Sequence, residues 1–225
     1  GGHTHYVKDE FYDWRDGFSK CNKNKKKMGN SSWFFDKSEK IFNDQVKWFT
    51  QIPRVAFVGV SNWITNEAKQ SNVTDGSHVQ TIYNWVDLEI FHPVNNPTLK
   101  DKLNIQNKFI ILGVASGWSN NKGLDKFLEL AKYLRSDEII LLVGKVNNDI
   151  NLPNNVMNIP ETHDLNELVK YYSMADIFVN LSLEESFGKV SAEALSCGTP
   201  VITINSTANS ELVGDGCGYV ISKWD

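Results

Sequence analysis

The sequence predicts an α/β protein organised around a doubly wound parallel sheet, and three observations predict it. From Phe109 onward, short apolar runs rich in β-branched residues alternate with amphipathic stretches of helical period. The loops GVASGWSNNKG, VGKVNN and NLSLEESFG are rich in Gly, Asn and Ser, and all fall at the carboxyl ends of strands. Ligands of such sheets sit in the crevice outside those carboxyl ends, so these three loops are where a site is expected.

The elements follow in order. KSEKIFNDQVKWF sets Ile41, Phe42, Val46 and Phe49 at helical spacing. RVAFVGVS is an apolar strand, and SNWITNEAKQS is a helix with Ser61 or Asn62 as its N-cap. HVQTIYNWVD is a second apolar run, and IFHPVNNPTLKDKLNIQNK, with two prolines and many Asn and Lys residues, reads as a connection between domains. KFIILGVAS is then a buried strand, and NKGLDKFLELAKYLR is a helix with Leu124, Phe127, Leu128, Ala131 and Leu134 on one face. EIILLVG is a strand, VMNIP a short one, DLNELVKYYSMA a helix and DIFVNLS a strand. FGKVSAEALSCG is a helix closed by Gly198, and TPVITI is a strand. The division expected is residues 1–95, a linker over 96–107, and the doubly wound domain over 108–225.

Composition narrows the partners. A chain of 225 residues with 41% hydrophobic content suits one large or two modest soluble domains. A net charge of -4 lacks the basic footprint of a nucleic-acid binder and leaves anionic small ligands open. Cys21, Cys197 and Cys217 are too few and too far apart for a disulfide framework or a Cys-x-x-Cys metal site, which predicts a reducing cytoplasm. No apolar run approaches the roughly 20 residues of a membrane span, and the N-terminus has no signal-peptide pattern.

The run EESFGKVSAEALSCGTPVITI, Glu184 to Ile204, carries most of the chemistry. Glu185 and Glu193 flank a Ser-Phe-Gly turn that opens a helix. An anion before that turn meets free backbone N–H groups and the positive end of the helix dipole, while Glu193 rises from the helix to accept hydroxyls. The combination suits a sugar diphosphate. The competing reading makes both carboxylates ordinary capping and dipole partners.

From Phe109 to Ile221 the sequence resembles the donor-binding domain of retaining glycosyltransferases of family 4, which have the GT-B fold of two facing Rossmann-like domains. The resemblance rests on LGVASGWSNNKGL, on LVKYYSMADIFVNLSLEESFGKVSAEALSCGTPVI with its Glu-x7-Glu spacing, and on STANSELVGDGCGYVI. It implies that Glu193 holds the ribose hydroxyls of a nucleotide, a carboxylate being able to accept from two vicinal donors. It implies that Glu185 orients hydroxyls of the donor sugar, with backbone N–H groups around Ser186, Phe187 and Gly188 facing the diphosphate or sugar. Lys122 would neutralise charge developing on the departing diphosphate. Many relatives place an Arg five residues earlier; Gly117 stands there instead, leaving Ser116, Asn121 or Lys145 as helpers, with Lys145 reading equally as a solvated surface lysine. In NIPETHDLNEL, Thr162 and His163 would lie near the nucleobase and Leu165 pack on it, although a plain helix cap at Asp164 and its neighbours is the favoured reading. STANSE stands where relatives carry a Gly-Gly-x-Pro-Glu turn, retaining Glu211 and neither glycine.

The first hundred residues resemble, more loosely, the last part of an acceptor domain, on SNWITNEAKQS and IYNWVDLEIFHP. His3 and His5 read either as phosphate contacts or as a functionless terminus. Lys20, Lys23, Lys25, Lys26 and Lys27, followed by Trp33, Phe34 and Phe35, read either as a solvated loop or as a peripheral contact with the inner membrane face, where each lysine adds about 1 kcal/mol. The resemblance thus implies a metal-independent, cofactor-free retaining glycosyltransferase. It would move a sugar from a nucleoside diphosphate sugar donor to a saccharide or lipid-linked acceptor in polysaccharide synthesis. The rival readings are a nucleotide-sugar-binding module without turnover and a nucleotide-sugar epimerase on the same fold. The chain is also expected to be a piece of the enzyme, with part of the acceptor half and most of the donor half, and to transfer weakly by itself.

Overall fold

The computed structural model describes residues 38–222, so the readings at His3, His5, Cys21, the lysine run and Trp33, Phe34 and Phe35 lie outside the described residues. The chain divides into two compact units, Gly1–Asn84 and Trp85–Asp225.

In the first unit, helix α1 (Ser38–Thr50) precedes strand β1 (Ala56–Gly59), helix α2 (Asn62–Lys69) and strand β2 (His78–Thr81). β1 and β2 pair in parallel, Ala56 opposite His78 through Gly59 opposite Thr81, which makes β1-α2-β2 a crossover unit. Ser61 is the N-cap of α2, its hydroxyl accepting from the Ile64 N–H at 3.1 Å. Gly59 permits the close return of α2, since a Cβ there would lie 2.2 Å from Thr65 Oγ1. Phe49 meets Phe57 edge to face at 5.3 Å.

The second unit opens with helix α3 (Pro97–Lys102) and continues β3 (Phe109–Gly117), α4 (Leu124–Leu130), β4 (Glu138–Lys145), β5 (Val156–Ile159), α5 (Leu165–Met174), β6 (Ile177–Asn180), α6 (Lys189–Ser196), β7 (Val201–Ile204) and β8 (Gly218–Ile221). Its six strands form one sheet in the order β5-β4-β3-β6-β7-β8, every pair parallel. Counted from β3, this is the 3-2-1-4-5-6 order of dinucleotide-binding sheets.

Apolar residues cover both faces, as a parallel sheet requires. Ile110, Leu112, Ile139 and Leu141 point into one core with Tyr172, Phe178 and Val201. Their neighbours Ile111, Ile140 and Leu142 point into the other with Trp118, Phe127 and Ile204. That alternation is the period of two that a strand imposes. Burying each large side chain of this kind contributes about 2 kcal/mol.

Two expectations shift. The residues read as a linker, 96–107, and those just before them belong to the second unit: Phe91 is 3% exposed, Ile105 is 2% exposed, and Phe91 packs edge-on against Tyr172. Pro97 begins α3 because its fixed φ suits a first helical turn, so proline here starts structure where it was read as a connection. The helix over NKGLDKFLELAKYLR is also shorter. Asn120–Lys122 form a 3-10 turn, and Gly123 adopts φ 78 before α4 begins. A Cβ on Gly123 would lie 2.5 Å from Leu181 Cβ and 2.8 Å from the Leu181 carbonyl oxygen.

That contact generates a prediction. Gly123→Ala combines a left-handed backbone with a clash against backbone, and is expected to cost about 2 kcal/mol or more in urea unfolding of the chain. A loss under about 0.5 kcal/mol would contradict the close approach.

Candidate functional site

The strand order reverses between β3 and β6, so the chain leaves their carboxyl ends in opposite directions and opens a crevice there. Asp176 fixes the far end of this pairing: its N–H donates to the Ile110 carbonyl at 3.1 Å, and its carboxylate accepts from the Ile110 N–H at 2.8 Å. The loop after β3 carries Lys122, and the loop after β6 carries Glu185. They meet, with Lys122 Nζ 2.5 Å from Glu185 Oε1. Lys122 is 37% exposed and Glu185 17% exposed in their side chains, so water screens the pair and its net worth is modest, about 1 kcal/mol or less.

A buried polar network holds the β6–α6 loop in place. Asn180, at the end of β6, accepts from the Ser182 N–H at 3.1 Å and donates to Ser191 Oγ at 3.0 Å. Asn209 donates to the Ser182 carbonyl at 2.8 Å, and Ser206 Oγ donates to the Leu183 carbonyl at 2.5 Å. The Leu183 N–H reaches the Asn121 carbonyl at 2.9 Å, joining this loop to the turn that carries Lys122. Glu185 is gripped by its own backbone: its N–H donates to Thr207 Oγ1 at 2.8 Å, and its carbonyl accepts from the Ala208 N–H at 3.3 Å. The loops after β3, β6 and β7 therefore form one tied edge.

Helix α6 starts beside Glu185. Gly188 takes φ 83 as the N-cap, and the first-turn N–H groups of Lys189 and Val190 have no acceptor within the helix. Phe187 is buried at 5% exposure and anchors the turn, while Ser186 is exposed.

Glu193, one turn further along α6, is 6% exposed. The Tyr172 hydroxyl donates to its Oε2 at 2.9 Å, while Oε1 faces the exposed Lys189 ammonium at 3.8 Å. Burial raises the Glu193 pKa above the usual carboxylate range, partly opposed by the Tyr172 hydrogen bond and the Lys189 charge. Burial and then the Glu193 charge push Tyr172 well up, so it stays a hydrogen-bond donor. Cys197, pushed up to about 11 by burial, is a thiol at neutral pH.

The remaining predicted residues take these places. Ser116 and Gly117 are exposed at the end of β3, and a Cβ on Gly117 would meet nothing within 4 Å. Lys145 is exposed at the end of β4, its carbonyl accepting from the Trp118 N–H at 2.8 Å, and among the described residues its ammonium makes no ion pair. Thr162 donates to Glu167 Oε2 at 2.6 Å and accepts from the Asp164 N–H at 3.2 Å. Asp164 caps α5, accepting from the Asn166 N–H at 2.9 Å, which is its plain capping reading. Leu165 is exposed on the first turn of α5. Among the described residues no cluster of three or more His, Cys, Asp or Glu is placed to hold a metal, and no helix is long and apolar enough to cross a membrane.

Three residues of this edge were not assigned a role from sequence. Tyr172 stood within the helix DLNELVKYYSMA, Asn180 within the strand DIFVNLS, and Thr207 in STANSE where relatives carry a glycine turn. Only a polar residue at the last position of an apolar strand marked Asn180 in advance.

A sequence model of the family described as Glycosyl transferases group 1 matches residues 95–224. The chain is 25% identical over 168 residues to D-inositol 3-phosphate glycosyltransferase of Mycobacterium sp. (strain KMS), a stretch covering 67% of this chain and 38% of that protein. It is 26% identical over 178 residues to N-acetyl-alpha-D-glucosaminyl L-malate synthase of Bacillus anthracis, covering 74% and 46%. Among solved structures, Anabaena Alr3699/HepE in complex with UDP and glucose matches with a TM-score of 0.61 at 21% identity, over 73% of this chain and 48% of that one. Sucrose-phosphate synthase (tll1590) from Thermosynechococcus elongatus matches with a TM-score of 0.68 at 20% identity, over 83% and 49%. The structural likeness shows the fold, which is that of GT-B proteins, and the chain spans less than half the length of each of these four.

The covered carboxylate makes stability depend on pH. A carboxylate raised in the folded state contributes stability below its unfolded pKa of about 4.3 and loses that contribution as pH rises through the folded value. Glu193→Gln removes this titration while keeping an acceptor for Tyr172. As pH rises from about 4 through the folded value, the melting temperature of the variant is expected to gain on that of the wild type, and the difference then levels off. Thermal melts of both proteins between pH 4 and 8 check this, and a difference independent of pH would contradict it.

Proposed function

We propose that the chain, which belongs to the group 1 glycosyl transferases, holds a nucleoside diphosphate sugar in the crevice between β3 and β6 and serves the transfer of its sugar. The observation that carries this reading is the Lys122–Glu185 contact across the switch point, with the start of α6 beside it. A diphosphate entering there meets one ammonium, the first-turn N–H groups of α6 and the positive end of its dipole. Glu193 Oε1 is the oxygen left for ribose hydroxyls, since Oε2 already takes Tyr172. Exposed Leu165 offers an apolar face to a base, and Thr162 is fixed nearby by the α5 cap.

The reaction proposed is retaining transfer without a metal. The bond from the anomeric carbon to the diphosphate oxygen breaks, and the acceptor hydroxyl oxygen bonds to that carbon from the same face. The acceptor proton passes to the departing phosphate. Lys122 counters the charge growing on the diphosphate, and Glu185 orients sugar hydroxyls, so positioning and charge stabilisation carry the rate. The proposed acceptor is a saccharide or lipid-linked saccharide. UDP and UDP-glucose are the first probes, because Anabaena Alr3699/HepE has crystal structures in complex with UDP and glucose and with UDP-glucose.

One observation favours a second reading, nucleotide binding with little turnover: Gly117 leaves an open, uncharged place beside the crevice. Calorimetric titration with a panel of nucleoside diphosphates and their sugars tests the first step, and absence of binding to all of them would overturn both readings. Product assays for transfer, hydrolysis and epimerisation then separate a transferase from a binding module and from an epimerase.

Two sets of variants follow. Glu193→Ala is expected to weaken nucleotide affinity by about 1–3 kcal/mol, the cost of a lost charged hydrogen bond, whereas Glu185→Ala lowers turnover and leaves nucleoside diphosphate affinity unchanged or tighter, since Lys122 is released. The opposite pattern would reverse the two roles. Gly117→Arg fits the open space, is expected to change stability by less than about 0.5 kcal/mol, and tightens diphosphate binding several-fold. Unchanged diphosphate affinity in that variant would place the phosphates elsewhere.

A further inference from the structure

Thr207 has a backbone that its side chain disfavours. Its φ is 51, in the left-handed region, where a β-branched residue is uncommon and strained. Apart from Asn104, a residue type that tolerates this region, it is the non-glycine residue with positive φ among the described residues. The strain accompanies a specific contact. In this conformation Thr207 Oγ1 accepts the Glu185 N–H at 2.8 Å, and the next residue, Ala208, gives its N–H to the Glu185 carbonyl at 3.3 Å. Both backbone polar groups of Glu185 are thereby satisfied from one side by two consecutive residues. Behind them Ala208 is fully buried and Asn209 is 1% exposed, with its amide on the Ser182 carbonyl at 2.8 Å. The support is therefore rigid.

We infer that Thr207 is a positioning residue for Glu185, its hydroxyl clamping the Glu185 backbone so that the carboxylate stays at Lys122 and toward the sugar of a bound donor. The sugar part of this inference rests on the reading of the crevice as a nucleotide-sugar site. The clamp itself does not. Strained backbone persists where the surroundings over-determine it, and here they supply the Glu185 N–H, a donor that the Thr207 hydroxyl accepts and a glycine could not.

The clamp predicts a difference between ligands. A structural role alone would weaken every ligand of the crevice equally. A positioning role for Glu185 weakens the contribution of the sugar and spares that of the nucleoside diphosphate.

The test uses the 225-residue chain and the variants Thr207→Val, which keeps the branched shape without the hydroxyl, Thr207→Gly, which removes hydroxyl and strain together, and Thr207→Ser, which keeps the hydroxyl. In the absence of ligand, hydrogen exchange of the Glu185 amide is expected to be at least tenfold faster in Val and Gly and close to wild type in Ser. Exchange within twofold of wild type in both Val and Gly would overturn the clamp. With UDP and UDP-glucose as probes, the ratio of their dissociation constants is expected to move at least fivefold against UDP-glucose in Val and Gly, with UDP affinity held and Ser rescuing. An unchanged ratio, or equal weakening of both probes, would overturn the positioning role. If wild type binds neither probe, the same ratio is read with the nucleoside diphosphate of the panel that it does bind and the matching nucleotide sugar; if it binds none of the panel, the positioning role toward the donor sugar falls with the crevice reading, while the exchange measurement still decides the clamp. Should Val fold poorly, Gly carries the same comparison without strain.

Discussion

The parallel pairing of β3 with β6 is the constraint from which the rest of the second unit follows. These strands are remote in sequence, yet Asp176 binds both backbone groups of the Ile110 peptide environment and sets them side by side pointing the same way. Once they are parallel, their outgoing loops must leave one edge, and because the chain winds to β4 on one side and β7 on the other, those loops diverge around a crevice. Lys122 and Glu185 owe their meeting to this arrangement and not to proximity in sequence. The buried amides Asn180 and Asn209 then convert a loosely placed loop into a fixed one, since an unsatisfied buried polar group would cost about 1–3 kcal/mol.

The two glutamates of the Glu-x7-Glu spacing live in different electrostatic surroundings. Glu185 faces an ammonium in a half-open place, where water screens the pair. Glu193 is covered and faces a phenol, with the nearest ammonium 3.8 Å away and exposed. Its charge is poorly compensated in the free protein, and vicinal hydroxyls donating to it would supply what the protein withholds. On the proposed reading of Glu193 as a ribose ligand, folding stability and ligand affinity pull in opposite directions at this side chain.

Much of the second unit was legible because parallel strands buried on both faces read as unbroken apolar runs, such as Ile110 to Leu112 and Ile139 to Val143. Capping signals were equally local: Ser61 and Asp164 sit where a short polar side chain precedes a helix. What sequence could not show depended on contacts between distant segments. The prolines near residue 95 looked like a linker because the packing of Phe91 and Ile105 into the second unit is visible only once Tyr172 is placed. The 3-10 turn before α4 depends on Leu181 standing against Gly123. Tyr172 beneath Glu193 and Thr207 beneath Glu185 are of the same kind, since hydroxyls in apolar or irregular runs carry no periodic signature. The spacing singled out two carboxylates for a proposed role; the elements behind them determine what each one faces.

Trp118 gives the crevice an optical property. Its indole is 8% exposed, donates from Nε1 to the Val143 carbonyl at 3.2 Å, and stands edge-on to Phe127 at 5.3 Å, on the residue directly after β3. Trp48 and Trp85, by contrast, lie open to solvent at 60% and 77% exposure. A sheltered indole emits at shorter wavelength than exposed ones and resists collisional quenchers. The chain therefore carries a sheltered fluorophore at the carboxyl end of β3, the strand whose following loop bears Lys122, and its emission differs from that of Trp48 and Trp85.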